Sequence, residues 1–163
     1  MVEALGIEPF LLAQSIVTLF AIFDPVGALP VFSALSANFS ETERRDIINK
    51  SCLVSLGILL VFALSGTILF DLLGISLSDF KIVGGIVLLI FSIDYVLGRS
   101  ERAYQKMKAE DIAIFPLATP LLAGPGSISI VLLMPDMLLK IIVILAVVAI
   151  AWVTLYLGTG VLK

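Results

Sequence analysis

Long apolar runs separated by short polar ones set the pattern of this chain. The runs extend from Phe10 to Leu35, Ser51 to Phe70, Ile82 to Leu97, Ile112 to Leu133 and Leu138 to Leu157. A helix needs about 20 apolar residues to cross the hydrocarbon core of a bilayer, so the pattern predicts five spanning helices. Between them, positions 36–50 carry Arg44, Arg45 and Lys50, and positions 98–111 carry Arg99, Arg102, Lys106 and Lys108. The other two connections hold only Lys81 and Lys140. Basic residues collect on the cytoplasmic side of membrane proteins, which puts the first and third connections inside and the N-terminus outside. The connection 98–111 is the one candidate linker, and its charge pattern suits a short amphipathic helix. Asp71 and Asp79 flank the second connection as solvated ends.

Composition agrees with the pattern. Hydrophobic residues make up 60% of the 163 positions and charged residues 14%, with a mean hydropathy of +1.18. That is too little charge to coat a soluble domain. The net charge of −3 leaves no basic footprint for nucleic acid. With no histidine and Cys52 as the single cysteine, disulfides, zinc sites and Cys/His nucleophilic pairs are excluded. Glu3 and Glu8 precede the first run without any Lys or Arg, so this run reads as a retained anchor rather than a signal peptide.

Two of the five runs are poorly suited to be simple helices. The first has 26 residues, about 39 Å as a straight helix against a core of about 30 Å. It contains Pro25 and Pro30, which free the carbonyls of Ala21 and Val26. In the fourth, Pro120 and Pro125 free those of Pro116 and Leu121. Unpaired carbonyls are tolerated at membrane depth only where protein or a wet cavity receives them. Both runs are therefore expected to be interrupted and to face the interior. The breaks share a form: Asp24-Pro25-Val26-Gly27-Ala28-Leu29-Pro30 and Thr119-Pro120-Leu121-Leu122-Ala123-Gly124-Pro125 each read polar-Pro-x4-Pro. Their offset is 95 residues, three spans apart. An odd number of spans inverts the second copy, as in inverted-repeat transporters. The fold class expected is an all-α membrane protein, a polytopic helical bundle with discontinuous first and fourth spans. One transmembrane domain would cover 1–163, with repeat one at about 1–98 and repeat two at about 112–163. Completing the second triplet would take a sixth helix after Lys163.

Asp24 is the leading candidate for chemistry. An acid at mid-span is a functional-site hypothesis by default, and it suits proton uptake or cation binding. As a structural alternative, Asp24 caps the helix that starts at Pro25. The helix starts near Gly27 and near Gly126-Ser127 would offer free N–H groups and a positive dipole end to a carboxylate. Pro25, Gly27, Ala28, Pro120, Gly124 and Gly126 would form a small backbone-lined pocket, with hydroxyls from Thr119, Ser127 and Ser129. The same small residues also serve plain helix packing. Asp94, near the end of the third run, is either a second ion-coupling site or an interfacial acid paired with Arg99 or Arg102. The Gly124-Pro125-Gly126 turn is not a nucleotide loop, since it lacks the lysine and the strand context. Trp152 and Tyr156 read as lipid-facing or packing residues, and the second and fifth runs as plain scaffold.

The stretches FDPVGALPVF at 23–32, GISLSDFKIVGGIVLLIFSIDYVLG at 74–98 and FPLATPLLAGPGSIS at 115–129, with SETERRDI at 40–47, resemble the MarC family, which includes SnatA-type small neutral amino acid transporters. The resemblance covers the first through fourth runs. It implies six spans in two inverted triplets and secondary transport of glycine, alanine and similar amino acids, coupled to protons or sodium, in the plasma membrane of a prokaryote. No cofactor beyond the coupling ion is implied. The partners expected are the lipid bilayer and the small-molecule substrate, and a homo-oligomer is compatible with the pattern.

Other functions remain alternatives. A MarC-type protein without amino acid transport would be an exporter of another small solute or a passive channel, and a channel would need a polar lining that the second and fifth runs lack. An intramembrane enzyme needs a nucleophile–base set or an acid pair that this chain does not assemble. A subunit without transport of its own is a further reading.

Overall fold

A computed structural model describes residues 8–97 and 107–161. Among these residues the structure is helical with no strand. The polar end of each helix is set by a local device. Helix α1 (Pro9–Phe23) starts with proline at its first position after an extended Glu8, where the missing N–H is no loss. Asp24 then takes the left-handed conformation, φ 41° and ψ 61°, and α2 (Pro25–Ser36) follows. Helix α3 (Glu41–Ser65) opens with a capping box: the Glu43 N–H donates to Ser40 Oγ at 3.3 Å, and the Ser40 N–H to Glu43 Oε2 at 2.8 Å. Gly66 at φ 57° ends it. The short α4 (Ile68–Leu73) stops at Gly74, φ 65°. Reciprocal bonds between Ser76 and Asp79 then start α5 (Leu77–Val96). After residue 107 come α6 (Ala109–Ile112), an irregular stretch Ala113–Leu122, α7 (Pro125–Leu133) and α8 (Met137–Val161).

Several expected boundaries move. The second span does not run Ser51 to Phe70; it begins at Glu41, inside the presumed loop, and ends at Ser65. The Ser40-x-x-Glu43 signal starts the helix ten residues before the apolar run, and Gly66 stops it early. The third span is a continuous helix of 20 residues, about 30 Å long. Among the described residues, three helical spans, 9–36, 41–65 and 137–159, are long and apolar enough to cross a membrane, and the bent pair 109–122 and 125–133 meets the same measure only when its two halves are taken together. Helix α5 has the length, but Asp79, Lys81 and Asp94 are spread so that every 18-residue stretch of it holds all three, whereas α3 confines its charges to residues 41–50. The amphipathic helix expected within 98–111 falls largely on positions 98–106, outside the described residues.

The core gathers around α8, which packs on α1, α2 and α3. Leu139, Val143, Val147, Ala151 and Leu155 recur every four residues along one buried stripe, the ridge that helix packing uses. They meet Leu19, Phe23, Leu59 and Cys52, all buried. Outward positions such as Val17, Leu64, Leu72 and Val153 are exposed and apolar, which suits a surface solvated by lipid rather than water. Helix α8 is therefore a hub, more than scaffold.

Candidate functional site

The two predicted breaks are both present but differ in kind. At Asp24 one residue leaves the helical conformation, while the Asp24 N–H still donates to Phe20 O at 3.0 Å and the Ala28 N–H to Asp24 O at 3.1 Å. Residues 9–36 thus run as one span of 28 residues. Pro30 lies inside α2 without ending it, contrary to the expected second interruption. In the fourth span the break is severe. Phe115 and Thr119 are extended, φ near −130° and ψ 125–130°. Each precedes a proline, whose ring excludes the helical conformation from the residue before it. Gly124, before Pro125, is extended as well. The axis bends by 53° between the two halves.

This asymmetry departs from the register expected for a repeat. The 95-residue offset pairs Pro25 with Pro120, yet the helices after the breaks start at Pro25 and Pro125, an offset of 125 − 25 = 100 residues. The halves do pair crosswise. Helix α1 packs on α7 and α2 packs on the stretch 113–122, as antiparallel neighbours do.

The breaks also meet in space. A Cβ on Gly126 would lie 2.8 Å from Ile22 Cγ2, and one on Gly84 would run into the Pro125 ring. The start of α7 is thus clasped between α1 and α5, at distances only glycine permits. Gly84 is buried, alone among the described residues 81–87 of α5. Gly124 is equally constrained, because a Cβ there would strike the Pro120 carbonyl oxygen.

The predicted site residues now have defined roles. The exposed Asp24 carboxylate accepts from the Gly27 N–H at 2.9 Å, so the helix start near Gly27 is filled by the chain's own anion and does not offer that N–H to a ligand. A Cβ on Gly27 would collide with this carboxylate. Pro25 and Ala28 are buried in the core beside it. The start of α7 is different: Gly124 supplies no side-chain cap, so the first N–H groups of that helix lack the partner that Asp24 gives α2. Thr119 Oγ1 donates to Ile114 O at 3.0 Å, Ser127 Oγ to Leu122 O at 2.8 Å and Ser129 Oγ to Pro125 O at 2.6 Å. These hydroxyls are engaged as donors and keep acceptor lone pairs. Asp94 is half-buried on α5 with no ion pair among the described residues, and Arg99 and Arg102 fall outside them. No cluster of three or more acidic or cysteine side chains among the described residues is placed to hold a metal ion.

Two buried polar side chains beside the break escape the sequence reading. Ser51 and Ser55 of α3 are buried, and their hydroxyls reach carbonyls of the irregular stretch: Ser51 Oγ shares its one proton between Ile47 O at 2.7 Å and Ala113 O at 3.0 Å, and Ser55 Oγ lies 3.5 Å from Ala118 O, a weak contact. The second span therefore receives the broken backbone, as membrane burial demands. Their spacing of four residues at the head of the apolar run that begins at Ser51 was the available signal. Trp152 Nε1 and Tyr156 OH both donate to Asn49 Oδ1, at 3.1 and 3.2 Å, so both aromatic residues are tied to α3. Lys50 Nζ pairs with Glu110 Oε1 at 2.8 Å, which brings the start of α6 beside α3.

Comparison with known proteins bears on these features. The profile for the MarC family integral membrane protein matches residues 10–163. A UPF0056 membrane protein of Methanocaldococcus jannaschii is 44% identical over 131 residues, 77% of this chain and 63% of the relative. One of Archaeoglobus fulgidus is 39% identical over 142 residues, 81% of this chain and 67% of the relative. Bacillus subtilis has one that is 31% identical over 126 residues, 71% of this chain and 59% of the relative. The chain thus spans roughly three fifths to two thirds of the length of these relatives. No solved structure matches.

Proposed function

The chain belongs to the MarC family of integral membrane proteins, and on that premise we propose that it is a secondary transporter of small neutral amino acids such as glycine and alanine, coupled to protons or sodium. The observation that carries this reading is the uncapped start of α7, clasped by Gly84 and Ile22 and opposed to the Asp24 break. An amino acid presents a carboxylate and an ammonium about two bonds apart. The free N–H groups and dipole of α7 suit the carboxylate. The acceptor lone pairs of Thr119 and Ser127, together with the Asp24 carboxylate, suit the ammonium or the coupling cation. Glycine at 84, 124 and 126 lets the chain itself pack tightly around the start of α7, which favours a small ligand by leaving little free space there. Crosswise packing of the broken halves supports the inverted arrangement of two triplets. The Lys50–Glu110 pair supports both basic connections lying on the cytoplasmic face of the plasma membrane, with the N-terminus outside.

The test is uptake of labelled glycine and alanine by proteoliposomes under imposed proton or sodium gradients. Accumulation against the amino acid gradient, abolished by Asp24→Asn, is the expected result. Equilibration without any dependence on the ion gradient would replace this reading by a passive channel. No flux of either amino acid would leave export of another small solute as the family function to pursue.

A further inference from the structure

Where the last turns of α2 and α8 meet the first turn of α3, a polar site lies away from both breaks. Ser36 is 1% exposed, and its Oγ finds no hydrogen-bond partner. Buried hydroxyls in helices usually donate to the carbonyl four residues back. Ser51 does so to Ile47 and Ser129 to Pro125, as does the exposed Ser92 to Leu88. Ser36 does not use Phe32 in this way. Its hydroxyl belongs instead to a small cavity lined by Phe32, Ser33, Ser36, Arg44 and Thr159. The room for the centre of a water molecule there is about 10 Å³, close to the space that one water needs.

The surrounding groups are polar enough to hold it. Arg44 Nε donates to Ser36 O at 2.9 Å and Phe39 O at 3.1 Å, and Nη2 to Ala37 O at 2.9 Å. The guanidinium thereby caps the C-terminal carbonyls of α2 and still has N–H groups in hand. Thr159 Oγ1 donates to Tyr156 O at 2.7 Å and keeps its lone pairs as acceptors. We propose that this cavity binds one structural water, which accepts from the Arg44 guanidinium and from the Ser36 hydroxyl and donates to the hydroxyl oxygen of Thr159. Three partners is the usual complement of a buried water. The Arg44 charge disfavours a cation, and the volume disfavours a carboxylate. The water joins α2, α3 and α8 at one point, and the site does not depend on the transport reading.

Thermal unfolding of the purified protein tests it. If the water is bound, Ser36→Ala and Thr159→Val each lower the melting temperature by about 2–4 °C. Because they lose one shared water, the double variant falls by less than the sum. If the Ser36 hydroxyl is simply unpaired, Ser36→Ala leaves the melting temperature unchanged or raises it, and the proposal is overturned. A structure at a resolution that shows waters decides independently of the variants: density bonded to Ser36 Oγ and Arg44 sustains the site, and its absence removes it.

Discussion

The carboxylate of Asp24 closes on the backbone N–H of Gly27 at 2.9 Å, and the missing Cβ of Gly27 makes that closure possible. Cap and glycine act as one device. Gly27→Ala is expected to displace the cap and destabilise the protein by about 1–2 kcal/mol, the range for a lost N-cap. Asp24→Asn, which tolerates φ 41° and still accepts the bond, should change stability by only a few tenths of that. Thermal unfolding of the two variants in detergent separates the structural role of Asp24 from its charge. If Asp24→Asn abolishes gradient-driven uptake while melting like the parent, the charge is what transport uses.

Gly84 and Gly85 are neighbours with opposite surroundings. A Cβ at 84 runs into Pro125, whereas one at 85 meets nothing within 4 Å. Gly84→Ala should push α5 away from the start of α7 and cost about 1–3 kcal/mol through overpacking, with loss of uptake. Gly85→Ala should be neutral or slightly stabilising, because alanine is the better helix former. Equal effects of the two on melting and on flux would show that the clasp is not rigid.

Removing the hydroxyl of Ser51 leaves Ala113 O without its donor from α3. Ser51→Ala is expected to cost about 0.5–1.5 kcal/mol and to speed hydrogen exchange in the stretch 113–122. Unchanged exchange there would mean that α3 does not support the broken backbone.

Trp152 is the single tryptophan of the chain, and Asn49 accepts from both its indole and the Tyr156 hydroxyl. Asn49→Leu removes that acceptor, so indole fluorescence should shift as the N–H loses its partner. The melting temperature should fall by about 2–4 °C, the effect of losing one part-buried and one exposed hydrogen bond. An unmoved emission spectrum would contradict the bond.

What was legible in the sequence follows from what is local. Proline acts on its immediate neighbour, so the extended Phe115, Thr119 and Gly124 were implied wherever the chain placed them. The same rule does not explain Pro30, which α2 absorbs. Position 30 sits one turn inside a helix already held at its start by the Asp24 cap, and the helix continues through it. The start of α3 was legible in the Ser40–Glu43 box but was outweighed by the charge of the region, since Arg44, Arg45 and Lys50 look like a loop until the helix is seen to carry them. The long-range pairs, Ser51 with Ala113 and Gly84 with Pro125, join positions 62 and 41 residues apart, and no local pattern contains that information. The 95-residue spacing matched in letters while the helix starts differed by 100, because the fold counts from the proline that begins a helix.

Helix α7 has nine residues, about 13 Å, less than half the thickness of a hydrocarbon core. The rest of that crossing is backbone with irregular hydrogen bonding, which in an aqueous loop would be wetted on every side. Here Ser51 and Ser55 stand in for the solvent. The Ala118 carbonyl also accepts from the Ala123 N–H at 2.8 Å, so the stretch is held partly by its own backbone and partly by α3. A displacement of 113–122 away from α3 would break both serine contacts, so the fourth span is joined to the second where it is least regular.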